Sequence, residues 1–184
     1  MKTRAIEIIP VELPAHRDAA RGLISEYLAW IAGVAQANYG LTFDIGAMIR
    51  SDIEDRSKFY PPTGRFYLVQ HADSFVGVGC LKRLASGVGE VQRMYVQPNA
   101  RGLGAGRALI ERLIEDARVL GYRQLRLESL KALSEAHNLY HSVGFKDIDP
   151  YSENSMKTYQ AQEAQDAYRR SAVFMELVTE PQSR

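Results

Sequence analysis

The sequence has little of several features that define whole classes of proteins. Its 184 residues include a single cysteine, Cys80, which excludes an internal disulfide and a multi-cysteine metal site. The longest apolar run, YLAWIAGVA, is much shorter than the ~20 residues of a membrane-spanning helix. The N-terminal residues also lack the apolar stretch of a signal peptide. These absences predict a protein of the reducing cytoplasm that is neither exported nor inserted in a membrane.

Excess charge of either sign is also missing. The formal net charge is +1, and the charged residues are dispersed rather than gathered in a basic stripe, so no nucleic-acid partner is expected. Apolar residues make up 46% of the chain and charged residues 24%, which is typical of a soluble globular protein. The length suits one domain over residues 1–184. The oligomeric state stays open between a monomer and a homodimer.

Apolar periodicity and turn residues predict the order of helices and strands. Predicted strands cover Ala5–Ile9, Phe66–Gln70, Phe75–Leu84, Glu90–Val96, Gln124–Leu130 and Ala172–Val178. Predicted helices cover His16–Ala37, Asp44–Lys58, Gly104–Leu120 and Ser134–Val143. A further helix is expected in the later half of the polar segment between Pro150 and Ser171. Three strands joined by short turns indicate an antiparallel meander, and the strand–helix–strand unit after it indicates a parallel crossover.

A glycine-rich turn, RGLGAG, lies between the predicted strand Glu90–Val96 and the helix that follows it. Backbone N–H groups converge at such a turn, where the helix dipole is positive, and the absence of side chains at the glycines lets an anion approach closely. Arg101 and Arg107 add positive charge on either side. The loop is therefore predicted to bind a pyrophosphate.

Two nucleotide-binding alternatives fit the loop less well. A Walker loop ends in Gly-Lys-Ser/Thr, whereas Gly106 is followed by Arg107 and an alanine. A dinucleotide fingerprint places a third glycine where Arg107 stands and opens a doubly wound sheet, whereas here a meander precedes the loop. Glu128 lies roughly where the acidic residue of that fingerprint is expected. A nicotinamide-dependent reductase therefore remains a weaker alternative.

Two motifs in sequence resemble the signatures of the GNAT acetyltransferases. Arg101-Gly102-Leu103-Gly104-Ala105-Gly106 is similar to the R/Q-x-x-G-x-G/A coenzyme A loop of that family, and it follows a strand and a proline as is usual there. Ala136-x-x-Leu139-Tyr140-x-x-x-Gly144-Phe145 resembles the family's second signature. The resemblance is strongest from about Val76 to Pro150, and it does not cover the segment from Ser152 to Arg170.

The resemblance implies a single α/β (α+β) domain with a mixed, mostly antiparallel central sheet, flanked by helices and opened by a parallel-strand splay that holds acetyl-CoA. The backbone amides of Leu103 to Arg107 would bind the coenzyme pyrophosphate. The implied cofactor-binding residues are Met94, Tyr95, Val96, Arg101, Gly102, Leu103, Gly104, Ala105, Gly106, Arg107, Asn138 and Tyr140. A backbone N–H near Val96 would polarise the thioester carbonyl. No metal is implied.

The resemblance also implies two catalytic side chains. The tyrosine at the position of Tyr140 often points its hydroxyl at the coenzyme sulfur and donates a proton to the departing thiolate; the alternative for this residue is simple core packing. Glu90 stands where carboxylate bases occur on this strand, and a solvated glutamate at a strand end is the alternative. Glu128, on the neighbouring predicted strand, is the reserve base.

The remaining polar and aromatic residues allow weaker interpretations. His137 and His141 have the i, i+4 spacing of metal ligands, but no carboxylate or cysteine pattern completes a site. Cys80 is expected to be a buried thiol. By resemblance, aromatic residues near the acceptor side of the cleft are Trp30, Tyr39, Phe43, Tyr60 and Tyr151. Side chains that could bind an acceptor carboxylate are Lys82, Arg83 and Arg93.

These inferences lead to one functional hypothesis and one alternative from another class. The hypothesis is an N-acetyltransferase that moves an acetyl group from acetyl-CoA to a primary amine of a small molecule or peptide, by direct attack in a ternary complex. The alternative is an acyl-CoA-binding sensor or an inactive relative that keeps the loop without turnover. The identity of the amine acceptor does not follow from the sequence.

Overall fold

A computed structural model describes residues 5–151 and 162–179 of the chain. The strands are β1 Ile6–Pro10, β2 Arg65–His71, β3 Ser74–Ala85, β4 Val88–Val96, β5 Gln124–Leu130, β6 Lys146–Ile148 and β7 Ala172–Val178. The helices are α1 Arg17–Tyr39, α2 Ile45–Glu54, α3 Arg56–Phe59, α4 Ala105–Val119, α5 Ser134–Ser142 and α6 Gln162–Ser171. The predicted meander, crossover and closing strand are confirmed, as is a helix late in the polar segment. Residues 152–161 of that segment lie outside the described residues.

Two local features differ from the prediction. The helix expected over Asp44–Lys58 is two helices, because Asp55 leaves the helical conformation and its carboxylate accepts the backbone N–H of Ser57 to cap α3. Asp44 caps α2 in the same way through the N–H of Ala47. The short strand β6 was not predicted, since three residues are too few to show an alternating pattern.

All seven strands form one sheet, in the order β1-β2-β3-β4-β5-β7-β6. Every neighbouring pair is antiparallel except β4 and β5, which are parallel. That parallel pairing covers only Val88–Glu90 against Gln124–Arg126. Beyond it the strands separate, and within the described ranges the rest of β4 has no strand partner on this side. The sheet therefore opens into a cleft, which confirms the predicted fold class and its splay.

Two apolar clusters cover the two faces of the sheet. On one face α4 buries Leu109, Ile110 and Leu113, the stripe predicted from its 3.6-residue period. On the other face α1 buries Leu23, Ile24 and Leu28 against strands and α2. No helix of the described residues is long and apolar enough to cross a membrane. Burial of both faces fixes β4 and β5 on either side of the cleft.

An irregularity in β4 lies beside the cleft. The register with β3 shifts between Val78 and Cys80, so that Cys80 faces Gln92 while Val78 faces Tyr95. Arg93 lies in this bulge with φ of 57°, in the left-handed region that non-glycine residues seldom adopt. The bulge re-aims the side chains that follow Gln92, and it places Met94 to Val96 along the cleft.

Candidate active site

A large cavity lies where β4 and β5 separate. It measures about 650 Å³ and lies between the end of β4, the glycine loop and α5. Its lining includes ten of the predicted cofactor-binding residues: Met94, Tyr95, Val96, Arg101, Gly102, Gly104, Ala105, Gly106, Arg107 and Tyr140. Leu103 and Asn138, the other two, are exposed and lie outside this lining, so their roles stay predictions.

The glycine loop leaves the start of α4 open to the cleft. Gly102 and Gly104 have φ of 78° and 83°, and Gly104 is the N-cap residue. No side chain caps this helix, and its first backbone bond runs from the N–H of Ala108 to the carbonyl of Gly104. The N–H groups of residues 105–107 therefore have no helical partner, and they carry the positive end of the helix dipole. This arrangement suits the oxygens of a phosphate.

Two arginines flank the loop. The Nε of Arg101 donates to the carbonyl of Val96 at 3.1 Å, and its guanidinium lies 5.6 Å from the centre of the Trp30 ring. Arg107 donates to Glu111 and to the hydroxyl of Ser142. Within the ranges that the structure describes, Arg101 has no carboxylate partner. Its charge is thus available to an anion at the loop.

Tyr140 is buried in the wall of the same cleft. Its ring centre lies 6.0 Å from that of Phe145, so it also packs in the core. Burial, followed by the nearby Tyr27, raises the pKa of Tyr140 well above its ordinary value. The hydroxyl has no hydrogen-bond partner among the residues that the structure describes. It can therefore donate a hydrogen bond to a ligand, and it stays protonated at neutral pH.

A second, smaller cavity adjoins the cleft at Leu133, which lines both. It measures about 70 Å³. Its polar lining consists of Gln92, Arg93, Glu128 and Ser129. The apolar and aromatic lining consists of Tyr27, Leu28, Ile31, Phe43, Ile45, Met48, Val91, Leu130, Leu133 and Tyr168.

Glu128 is the acidic side chain in this smaller cavity. Burial first, and then the charge of Glu90, raise the pKa of Glu128 to about 8. The nearby Tyr168 hydroxyl favours the charged form of Glu128 and so lowers its pKa slightly, and within the described residues the Oε2 atom of Glu128 is buried without a hydrogen-bond partner. A carboxyl group with a pKa near neutrality can exchange a proton with a bound ligand.

Glu90 is fully buried, and its carboxylate is held by neighbouring groups. Its Oε2 accepts the side-chain amide of Gln92 at 2.7 Å, and its Oε1 accepts the Tyr151 hydroxyl at 2.9 Å. Lys82 lies 3.6 Å away. Glu90 lines neither cavity. The assignment of Glu90 as the base stays a prediction, and its placement favours Glu128 for contact with a ligand.

Of the three cations that could have bound an acceptor carboxylate, Lys82 and Arg93 are already engaged, and Arg83 lines neither cavity. The Arg93 guanidinium donates to both oxygens of the fully buried Asp52, which Lys58 also contacts. Lys82 pairs with Glu90. Arg83 lies near the C-terminal end of β3, beside Tyr122, and not at the cleft. The structure therefore corrects the interpretation of Lys82, Arg83 and Arg93 as carboxylate ligands.

The other residues singled out from the sequence have varied positions. Phe43 lines the smaller cavity, Trp30 lines the cleft and Tyr151 contacts Glu90, whereas Tyr39 and Tyr60 line neither. Sequence reasoning missed Gln92, although its position two residues after Glu90 places it on the same strand face. It also missed Tyr27, Asp52 and Tyr168, for which no local pattern gives a signal.

Cysteine and histidine take structural positions. Cys80 is fully buried as predicted, and burial raises the pKa of its thiol well above the ordinary value. His141 lies 3.0 Å from Asp147, while burial lowers the pKa of His137. In the described part of the chain, no three histidine, cysteine or acidic side chains are close enough to hold a metal ion.

Comparison with known proteins shows which family this chain is similar to. Residues 34–145 match the model of the acetyltransferase (GNAT) family. An uncharacterized N-acetyltransferase of Schizosaccharomyces pombe is 31% identical over 84% of this chain and 91% of its own length. An IAA acetyltransferase of Azospirillum brasilense is 32% identical over 73% of this chain and 82% of its own. The fold is similar to that of PaiA N-acetyltransferase of Thermoplasma acidophilum, which was solved in complex with coenzyme A. The TM-score is 0.65 and the sequence identity 18%, and the match covers 95% of this chain and 99% of the other.

Proposed function

The chain belongs to the acetyltransferase (GNAT) family of acetyl-CoA-dependent acyltransferases, and we propose that it transfers the acetyl group of acetyl-CoA directly to a primary amine. The acceptor is a small molecule or a peptide that enters from the side of the smaller cavity. The observation that carries this proposal is the uncapped start of α4, which faces the larger cleft.

The residues of the cleft fit acetyl-CoA in charge and shape. The free N–H groups of residues 105–107 and the Arg101 guanidinium would hold the pyrophosphate. The unpaired edge of β4 at Met94 to Val96 would pair with the amide-rich pantetheine arm like an added strand. When bound, the coenzyme supplies an activated thioester. A main-chain N–H near Val96 would then stabilise the charge that develops on the carbonyl oxygen.

The two catalytic groups lie in walls of adjoining cavities. Glu128 accepts a proton from the incoming ammonium, and the neutral nitrogen then attacks the thioester carbonyl carbon. The C–N bond forms as the C–S bond breaks, and the Tyr140 hydroxyl donates its proton to the departing sulfur. The acylated nitrogen then loses its second proton to Tyr140, which leaves the neutral amide, and Glu128 releases its proton to solvent. We assign Glu90 to positioning, because it holds Gln92 and adds negative charge beside Glu128.

Release of free thiol tests the proposed function. Purified protein mixed with acetyl-CoA and a panel of primary amines is expected to release coenzyme A continuously, and to form N-acetyl products detected by mass spectrometry. Tyr140→Phe should lower kcat while leaving the Kd for acetyl-CoA unchanged, since the hydroxyl acts on the departing sulfur. Tight binding of acetyl-CoA without turnover of any amine would contradict the proposal, and would favour the acyl-CoA-binding alternative.

A further inference from the structure

In the part of the chain that the structure describes, two buried hydrogen-bond acceptors at the smaller cavity have no partner. They are Oε1 of Gln92 and Oε2 of Glu128, and both side chains line the cavity. A buried polar atom without a partner is unfavourable, so a paired arrangement is strongly preferred. Because the Gln92 oxygen and the ionised Glu128 carboxylate both accept hydrogen bonds, a ligand that donates several would satisfy them together. An ammonium group has three such donors.

The direction of the Gln92 amide is set by its neighbour. Its Nε2 donates to Glu90 at 2.7 Å, and that carboxylate offers only acceptor atoms. The opposite end of the amide must therefore present its oxygen. Glu90 in turn is held by the Tyr151 hydroxyl and Lys82. The orientation of the Gln92 amide is therefore fixed. Its Oε1 cannot exchange places with Nε2 without loss of the hydrogen bond to Glu90.

The charges around the cavity disfavour a second anion. Among the described residues that line it, Arg93 is the one cation, and it already binds both oxygens of Asp52. An amino acid would bring its carboxylate within two bonds of the amine, close to Glu128 and the Gln92 oxygen. Like charges juxtaposed in a poorly solvated site repel each other strongly, so binding of such an acceptor is disfavoured.

The rest of the wall is apolar and leaves little space. At about 70 Å³, about half of a ~150 Å³ cavity that binds benzene, the cavity can hold the amine and only the first carbons of its stem. Leu28, Ile31 and Met48 contribute aliphatic surface to it. A slim aliphatic stem therefore fits better than a ring or a polar side chain.

We propose that the acceptor is a primary amine on a short aliphatic stem without a carboxylate next to the nitrogen, bound by Gln92 Oε1 and Glu128 Oε2. This inference rests on the proposed acetyl transfer, which supplies the need for an amine. It makes Gln92 a residue that determines specificity, and Arg93 a structural cation rather than a substrate ligand.

A matched set of three amines tests this inference with the wild-type protein. Isoamylamine, leucine and leucinamide share the aliphatic group but differ in the carboxylate, which is absent, charged or masked as an amide. We expect kcat/KM to be about 100-fold or more higher for isoamylamine than for leucine, with leucinamide in between. Comparable values for leucine and isoamylamine, or for leucine and leucinamide, would overturn the inference while acetyl transfer itself stands. Turnover of no amine would refute both.

Gln92→Leu provides the second test. Removing the oxygen at nearly constant volume should raise KM for isoamylamine about tenfold, the loss of one hydrogen bond to a charged group. The Kd for acetyl-CoA should not change, whereas the melting temperature should fall, because the buried Glu90 carboxylate loses the amide donor of Gln92. Gln70→Leu, the same change on β2 outside both cavities, is the control. An unchanged KM in a folded Gln92→Leu protein would contradict the proposed contact.

Discussion

The residue that most directly links structure to chemistry is Glu128. Its burial and the neighbouring Glu90 together disfavour the charged form, which leaves a carboxyl group with a pKa of about 8 at the acceptor cavity. A positively charged amine that binds there favours the carboxylate again. Proton transfer from ammonium to Glu128 is therefore coupled to acceptor binding. Tyr140, whose pKa is raised by burial, keeps its proton over the same pH range.

The pH dependence of the rate tests the role of Glu128. Since the base is active when deprotonated, kcat/KM for the amine should rise as pH increases through about 8. Glu128→Gln should remove this inflection and lower kcat by about 10²-fold or more, with the Kd for acetyl-CoA unchanged. Glu115→Gln, on the exposed surface of α4, controls for the loss of one negative charge. If Glu90→Gln removes the inflection and Glu128→Gln retains it, the assignment is wrong.

Helix α4 and the loop before it form the element that binds the coenzyme in this account. Gly104 combines φ of 83° with open space, since no protein atom lies within 4 Å of the position that a Cβ would take. A side chain there is strained and enters the space in which the pyrophosphate is expected. Both the turn and the expected ligand thus require a glycine at position 104. Because these requirements are local, the sequence alone was enough to predict the motif.

Gly104→Ala should weaken acetyl-CoA binding at least tenfold, because a methyl group obstructs close approach of phosphate to the backbone (~1.4 kcal/mol). Titration calorimetry measures the change. Gly121→Ala is a matched control, because Gly121 follows α4 with φ of 76° and equally open surroundings, away from the cleft. Both variants should lose similar stability, at about 1–3 kcal/mol for a strained backbone. Equal affinities for acetyl-CoA in the two variants would exclude the loop as the phosphate site.

At the same scale, local signals explain which elements were predictable. The apolar stripe of α4, the turns of the meander and the glycine loop are encoded within short stretches, and the structure has each of them. The break at Asp55 also had a local signal, since an aspartate two residues before Ser57 can cap a new helix. The strand β6 had none, because its place is set by pairing with β7.

At the scale of the whole molecule, the acceptor cavity was the least predictable part. It joins residues from α1, α2, β4, β5 and α6, which no spacing in the sequence connects. Asp52 engages Arg93 from 41 residues away, and this pairing converts an apparent substrate ligand into a structural cation. Tyr168 reaches Glu128 from the segment that the family resemblance did not cover. Tertiary packing therefore determines which residues form the acceptor cavity, whereas the coenzyme motif is one continuous stretch of sequence.

Amide hydrogen exchange with and without acetyl-CoA tests the central claim, that the opening between β4 and β5 and the start of α4 together bind the thioester. The account predicts slower exchange in peptides that contain residues 94–96 and 103–107 when acetyl-CoA is added. Peptides from β1 and β6 serve as internal references, since they lie at the two edges of the sheet. Protection confined to other segments, or no protection at saturating acetyl-CoA, would contradict it.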